Sequence, residues 1–532
     1  MFQIMTCYET LRKKKHLSEL DCSLLMLGNK LHSYQYASLV CQLVHAELNE
    51  EELCLLKNII CEFPIIINFI HLTHPNHEIL MIKDIQWRKM ELDYTHVFSN
   101  TYKYGSIGKI VIEKIIDDFV ADRLDLDFLA YWLMTVCIRD ISKEDLVYLT
   151  DAMKNSGAIF DYRNNRELAF AKVIRRYPTG ALSEKTALIL PSLLAAVSKD
   201  YKICSPFLVA RSLGFTGGTW DKLNSIPGFR MPQPGNETMS VLKNCSVAMS
   251  VTHGDANPAD RKMYQFRSLT GTIESSSLII SSIASKQLVM PADFLLMDVR
   301  YGNGAFFETY EEAKIFAISL CEVIELGGVS CSYLLIDTPE PNGSSIGNAL
   351  EVLEAIEVMR PHSDKSKWDE RKLIWQKELV LGFFSELMHA IYPDKKKQEW
   401  FSHGLLLFKE GKVLEAFNKI LKAHSVSLDT IQSLNGSAWD VICPYKPSDL
   451  YANSTGRLVS IDQKRLGFLV NFYLGAGGNE FGGEFCPQKG ILVCKALGDE
   501  INKGELICEI YSDEIKSDFV HELSKCFVIE CI

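Results

Sequence analysis

From Gly108 onward apolar residues recur at three- and four-residue spacing. KIVIEKIIDDFVADR and DLDFLAYWLMTVCIR therefore predict amphipathic helices. SKEDLVYLTDAMKNSG adds a third, opened by Ser142 and Asp145 in a capping-box-like arrangement with Asp where Glu or Gln is usual. A small all-helical domain follows from this run. Beyond it, the apolar helix EKTALILPSLLAAVSK alternates with strand-like segments, FLLMDVR and CSYLLID, each followed by a turn and a further helix. That alternation predicts an α/β domain with a largely parallel sheet. Trp368 to His424 reads as charged and helical, and Thr455 to the C-terminus as short strands and turns, with GAGGNEFGG the most flexible stretch. The first hundred residues have another texture: Leu, His and Cys are frequent and Gly is nearly absent.

The expected organisation is an accessory N-terminal domain over 1–105, a helical domain over 106–170 with a return segment 259–290, an α/β domain over 171–258 and 291–440, and a smaller α+β region over 441–532. A chain of 532 residues is long enough for several cores, and 47% hydrophobic with 23% charged residues is ordinary globular composition. A formal net charge of −11 opposes non-specific attraction to nucleic acid or to an anionic membrane, so neither is expected as a partner. The apolar stretch Ile59 to Ile70 is shorter than the roughly 18 residues a spanning helix needs. MFQIMTCYETLRKKKHL does not read as a secretory signal, and sixteen scattered cysteines without a CxxC pair fit free thiols in a reducing cytoplasm. His71, His74 and His77 invite a metal reading, but Pro75 breaks the helix that would align them, and no metal is expected.

Ser282 and Lys286 lie four apart on an expected helix and share a face, with Arg267 on the preceding segment. Such a face offers fixed donors and a hydroxyl to a planar polar ring. Around it stand ARSLGFTGGTWDKLNSIPGF (Ala210 to Phe229), PADRKMYQFRSLTGTIESSSLIISSIASK, MDVRYGNGAF and SSIGNALEVLEAIE. In this order they resemble the thymidine and pyrimidine-nucleoside phosphorylases, over residues of about 108 to 532 and more weakly after about 360. The resemblance implies a helical domain facing an α/β domain across a cleft, and reversible phosphorolysis of a pyrimidine nucleoside to free base and pentose 1-phosphate. It also implies no cofactor, inorganic phosphate as co-substrate, and a homodimer built through the helical domain. It assigns Arg267, Ser282 and Lys286 to the base, with Tyr177 beside it at the position of the family's His. Arg267 and Lys286 would stabilise the departing base as negative charge develops on it.

The family's phosphate loop reads Lys-His-Ser-Thr-Gly-Gly, and here it is Arg176, Tyr177, Pro178, Thr179, Gly180 and Ala181. The resemblance places Arg176, Thr179 and Thr219 at the phosphate, with Ser183 as a substitute donor. Pro178 and Val209 replace two hydroxyl donors. The changed loop motivates two rivals: another acceptor, such as water or a bulkier anion, and a non-catalytic nucleoside-binding protein. GALSEKT superficially resembles a nucleotide-binding loop but lacks the Gly directly before Lys185. Gly302-Asn303-Gly304 follows a strand, at the kind of switch where α/β ligands gather, and reads either as a ligand turn or as a tight turn alone.

Overall fold

The computed structural model describes residues 103–531 except 213, 252–255, 274, 362–366, 437–440 and 478–484, together with Gln35, Val97, Asn100 and Thr101. The three candidate histidines, Ile59 to Ile70, nearly all of the accessory domain and much of GAGGNEFGG lie outside the described residues. The chain divides into two compact units, Met1–Ile159 with Gly254–Val289, and Phe160–His253 with Met290–Ile532.

The described part of the first unit is helical: α1 (Lys109–Val120), α2 (Leu126–Arg139), α3 (Lys143–Asn155), α4 (Pro258–Thr270) and α5 (Ser276–Leu288). α1 buries Ile112, Ile115, Ile116 and Phe119 on one stripe, as its period requires. α2 departs from the one-sided pattern expected of it, because every residue from Phe128 to Val136 is buried. A helix apolar on all sides belongs at the centre of a bundle, and Met263, Phe266 and Leu278 from the return segment join its core. Ser142 caps α3 by accepting from the Asp145 amide at 3.1 Å. The capping box does not close, however, because the Asp145 carboxylate accepts from Ser106 Oγ at 3.0 Å and from the Ile107 amide at 2.6 Å, while the Ser142 amide donates to the Gly105 carbonyl. A shorter Asp side chain thus ties the start of α3 to the start of α1.

In the second unit five strands form one parallel sheet, ordered β3-β2-β1-β4-β5: β1 (Lys172–Pro178), β2 (Ile203–Val209), β3 (Val247–Val251), β4 (Phe294–Tyr301) and β5 (Ser330–Asp337). Near-continuous apolar runs are what a sheet covered on both faces demands. Register pairs Pro178 with Asp298 and Val209 with Val251, so the loop after β1, the end of β2 and the charged end of β4 gather at one edge of the sheet. The helix Thr186–Val197 and those covering most of Trp368 to His424 (Glu370–Ile391, Lys397–Lys409, Lys412–Ala423) contribute to the core around Phe383, Phe384 and Trp400. Short strands at the C-terminal end build a three-stranded and a four-stranded sheet. The latter borrows Ser345–Ile346, paired to Ile491 and Leu492, so the region beginning at 441 is completed from the middle of the chain. A two-residue strand is too short to show a period in sequence.

Candidate functional site

Two groups of side chains stand out, one in each unit. In the helical unit, Asn257 opens α4 with a backbone φ of 49° and caps it by accepting from the Asp260 amide at 3.1 Å, while its own amide donates to Ser285 Oγ of α5 at 2.9 Å. This fixes Asp260 one turn into α4, facing α5. There Ser282 Oγ donates to Asp260 Oδ1 at 2.5 Å, Lys286 Nζ donates to Ser282 Oγ at 3.0 Å, and Lys286 Nζ pairs with Asp260 Oδ2 at 3.1 Å. Ser282 and Lys286 thus share a face as their spacing requires, and both converge on a buried carboxylate.

Arg267 is only 3% exposed and braces the turn between α4 and α5. Its Nε donates to the Thr272 carbonyl, Nη2 to Thr272 and Ile273, and Nη1 to Leu278 at 2.9 Å. Four of the five guanidinium hydrogens are engaged by main chain, a structural duty not visible in the segment itself. Burial brings this guanidinium down to about 10, against the opposing pull of Asp260. Tyr177 belongs to the other unit, half-buried near the end of β1.

In the α/β unit, Arg176, Pro178, Val209 and Thr219 line one small recess of about 30 Å³ together with Pro191 and Phe207. Of the four residues expected at the phosphate, Arg176 and Thr219 line this recess and Thr179 and Ser183 do not, and its wall is mostly apolar. Arg176 does not face it as an uncompensated cation. Its Nη2 contacts Asp298 and lies 3.3 Å from Glu184, and Arg300 meets the same two carboxylates, at 2.7 Å to Glu184 and 2.5 Å to Asp298. Two guanidiniums and two carboxylates balance, all buried, with both guanidiniums against the Phe383 ring. Burial alone would raise the Glu184 carboxyl, yet Arg300 and Arg176 hold it down at about 2.

The hydroxyls are similarly committed. Thr179 Oγ1 accepts from the Arg300 amide at 3.0 Å. Ser183, at a φ of 64°, donates to the Ser345 carbonyl and accepts from Lys185 Nζ at 2.5 Å, so the substitution expected from Ser183 is not presented at the recess lining. Lys185 is fully buried and paired with Glu354 at 3.1 Å, which removes the nucleotide-loop reading of GALSEKT. Gly218, in the Thr-Gly-Gly-Thr turn, could carry no side chain, since a Cβ would sit 2.3 Å from the Arg211 backbone. Gly304 packs against Gln463 with equal closeness, and Asn303 Nδ2 donates to the Ile461 carbonyl at 2.5 Å, so this turn is used as a tight packing turn.

Asp260, Asp298, Glu184 and Arg300 were not singled out in sequence. Asp298 and Arg300 did carry a signal, because opposite charges two apart in an apolar strand share one face and must be paired when buried. Among the described residues, no cluster of His, Cys, Asp and Glu could hold a metal ion, and no helix is long and apolar enough to cross a membrane.

Residues 180–381 match the glycosyl transferase family a/b domain, and 458–530 match the pyrimidine nucleoside phosphorylase C-terminal domain. The pyrimidine-nucleoside phosphorylase of Bacillus subtilis (strain 168) is 29% identical over 444 residues, covering 83% of this chain and 93% of the relative. The thymidine phosphorylase of Agrobacterium fabrum (strain C58 / ATCC 33970) is 27% identical over 426 residues, covering 80% and 93%. The chain belongs to the thymidine and pyrimidine-nucleoside phosphorylase family. Among solved structures, anthranilate phosphoribosyltransferase from Thermus thermophilus aligns with a TM-score of 0.47 at 10% identity, covering 61% of this chain and 98% of that one. In this chain Ser282 and Lys286 share one helical face, and Pro178 and Val209 present carbon to the recess.

Proposed function

We propose that this chain catalyses reversible phosphorolysis of a pyrimidine nucleoside, transferring the pentose from the base to inorganic phosphate. The observation that carries the reading is the Ser282–Lys286 face, ordered by Asp260, in a chain of this family. Lys286 would donate to a ring carbonyl and stabilise the departing base, and Ser282 would accept from the ring imide. Arg267 would hold the turn beneath that face, with its remaining Nη1 hydrogen as its only further donor. Phosphate would meet Thr219 in the recess, with Thr179 on the adjoining loop and Arg176 acting as part of a balanced cluster.

The test is release of free base from thymidine, uridine and deoxyuridine, with and without inorganic phosphate, followed by chromatography. Phosphate-dependent release yielding a sugar 1-phosphate supports phosphorolysis. Release in phosphate-free buffer would transfer the reading to hydrolysis, and no release from any substrate would overturn it. Lys286→Ala should lower turnover by at least roughly a hundredfold, the usual scale for removing one donor that stabilises developing charge; unchanged turnover would sink the base face.

A further inference from the structure

Asp260 is engaged by Ser282 through one oxygen and by Lys286 through the other. A serine hydroxyl has one proton and two lone pairs. Here the proton goes to Asp260 Oδ1 at 2.5 Å and one lone pair accepts from Lys286 Nζ at 3.0 Å. A carboxylate has no proton to give, so the direction of the first bond is fixed. What Ser282 then offers a ligand is a lone pair.

We infer that Asp260 is a specificity-determining residue, which locks Ser282 as an acceptor beside the donor-only Lys286 so that the pair reads the O=C–N–H edge of uracil- and thymine-type rings. The inference rests on the base-face reading proposed above and deepens it. A uracil-type ring presents a carbonyl oxygen next to an N–H, matching an ammonium donor next to a hydroxyl acceptor. A cytosine-type ring presents an amino donor next to an unprotonated nitrogen, and both contacts are then mismatched. Unpaired buried polar groups are what make such discrimination large. Asp260 is suited to the task because its own amide is held by Asn257 and Asn257 is tied to Ser285, so the carboxylate is oriented from both helices.

Asp260→Asn makes a directional test. Lys286 can only donate, so it retains the amide oxygen and turns the amide nitrogen toward Ser282. The nitrogen donates to Ser282 Oγ, and the hydroxyl proton is released to point at the ligand. The experiment is equilibrium binding of free uracil and free cytosine to the full-length protein, by calorimetry, for wild type, Asp260→Asn, Ser282→Ala and the double variant, each checked for folding by circular dichroism. Wild type should prefer uracil, and Asp260→Asn should reduce the uracil-to-cytosine affinity ratio by roughly tenfold or more, the scale of one reversed hydrogen bond.

In the Ser282→Ala background, Asp260→Asn should change the ratio no further, since the hydroxyl it acts through is gone. An unchanged ratio in folded Asp260→Asn, or an equal change without the hydroxyl, would overturn the inference. If Asp260→Asn does not fold, Ser282→Ala alone decides: a reduced ratio supports the acceptor role and an unchanged one ends it. Wild type binding neither base, or cytosine equally well, also overturns it. A preference for uracil without nucleoside turnover would remove phosphorolysis and leave the polarity lock standing, whereas turnover with an unaltered ratio would do the reverse.

Discussion

Replacing Arg176 by Met separates two roles that this guanidinium could have. As a dedicated phosphate cation, its loss would weaken phosphate binding and leave the fold intact. As a member of a buried cluster, its loss leaves Asp298 and Glu184 sharing only Arg300, with one uncompensated negative charge beside the Phe383 ring. Breaking a buried pair by removing one partner costs about 3–5 kcal/mol. With a urea m-value of about 3 kcal/mol/M, that lowers the unfolding midpoint by roughly 1–1.7 M. Tryptophan fluorescence reports on the right part of the molecule, because Trp220, Trp368, Trp375 and Trp400 all lie in the α/β unit. Adding Glu184→Gln to Arg176→Met removes the surplus charge, and the double variant should recover about 1–2 kcal/mol relative to Arg176→Met alone, a coupling that distant sites do not show. Arg176→Met within about 1 kcal/mol of wild type, with no gain from the second change, would refute the argument that the cluster absorbs this cation.

Two further outcomes follow from buried groups. His424 is buried against Phe229, donates from Nδ1 to the Arg230 carbonyl at 2.9 Å and accepts at Nε2 from the Met249 amide at 3.3 Å, so it must stay neutral, and burial pushes it down to about 4 despite the Arg230 carbonyl. The unfolded chain takes up this proton first, so His424 should cost no stability above pH about 6.5 and progressively cost up to roughly 3 kcal/mol as pH falls to about 4, where the loss levels off. Urea unfolding from pH 7 to 4 should therefore slope less steeply in His424→Gln, and an identical slope would contradict the assignment. Val209→Ser restores a hydroxyl beside Thr219 in the recess and should lower the KM for phosphate by roughly five- to tenfold, the yield of one hydrogen bond; steady-state turnover at varied phosphate reads it, and an unchanged KM would place the acceptor elsewhere.

Local pattern was enough for much of this protein. Apolar spacing marked α1 and α2 as helices, FLLMDVR and CSYLLID read as strands, and four-residue spacing alone put Ser282 and Lys286 on one face. These features depend on side-chain period and on neighbours within a turn or two, which a linear reading contains. Family motifs extended that reach to the recess, where Arg176, Pro178, Val209 and Thr219 do gather. What Arg176 does there was beyond reach, because Asp298 is 122 residues away and only the β1–β4 register brings its charge alongside. Asp260 stands 22 residues before Ser282, and the direction of their hydrogen bond depends on how α4 is capped and packed on α5. The chemical type of a side chain is written in the chain, but whether its charge is available and which way its proton points are set by partners that only folding supplies.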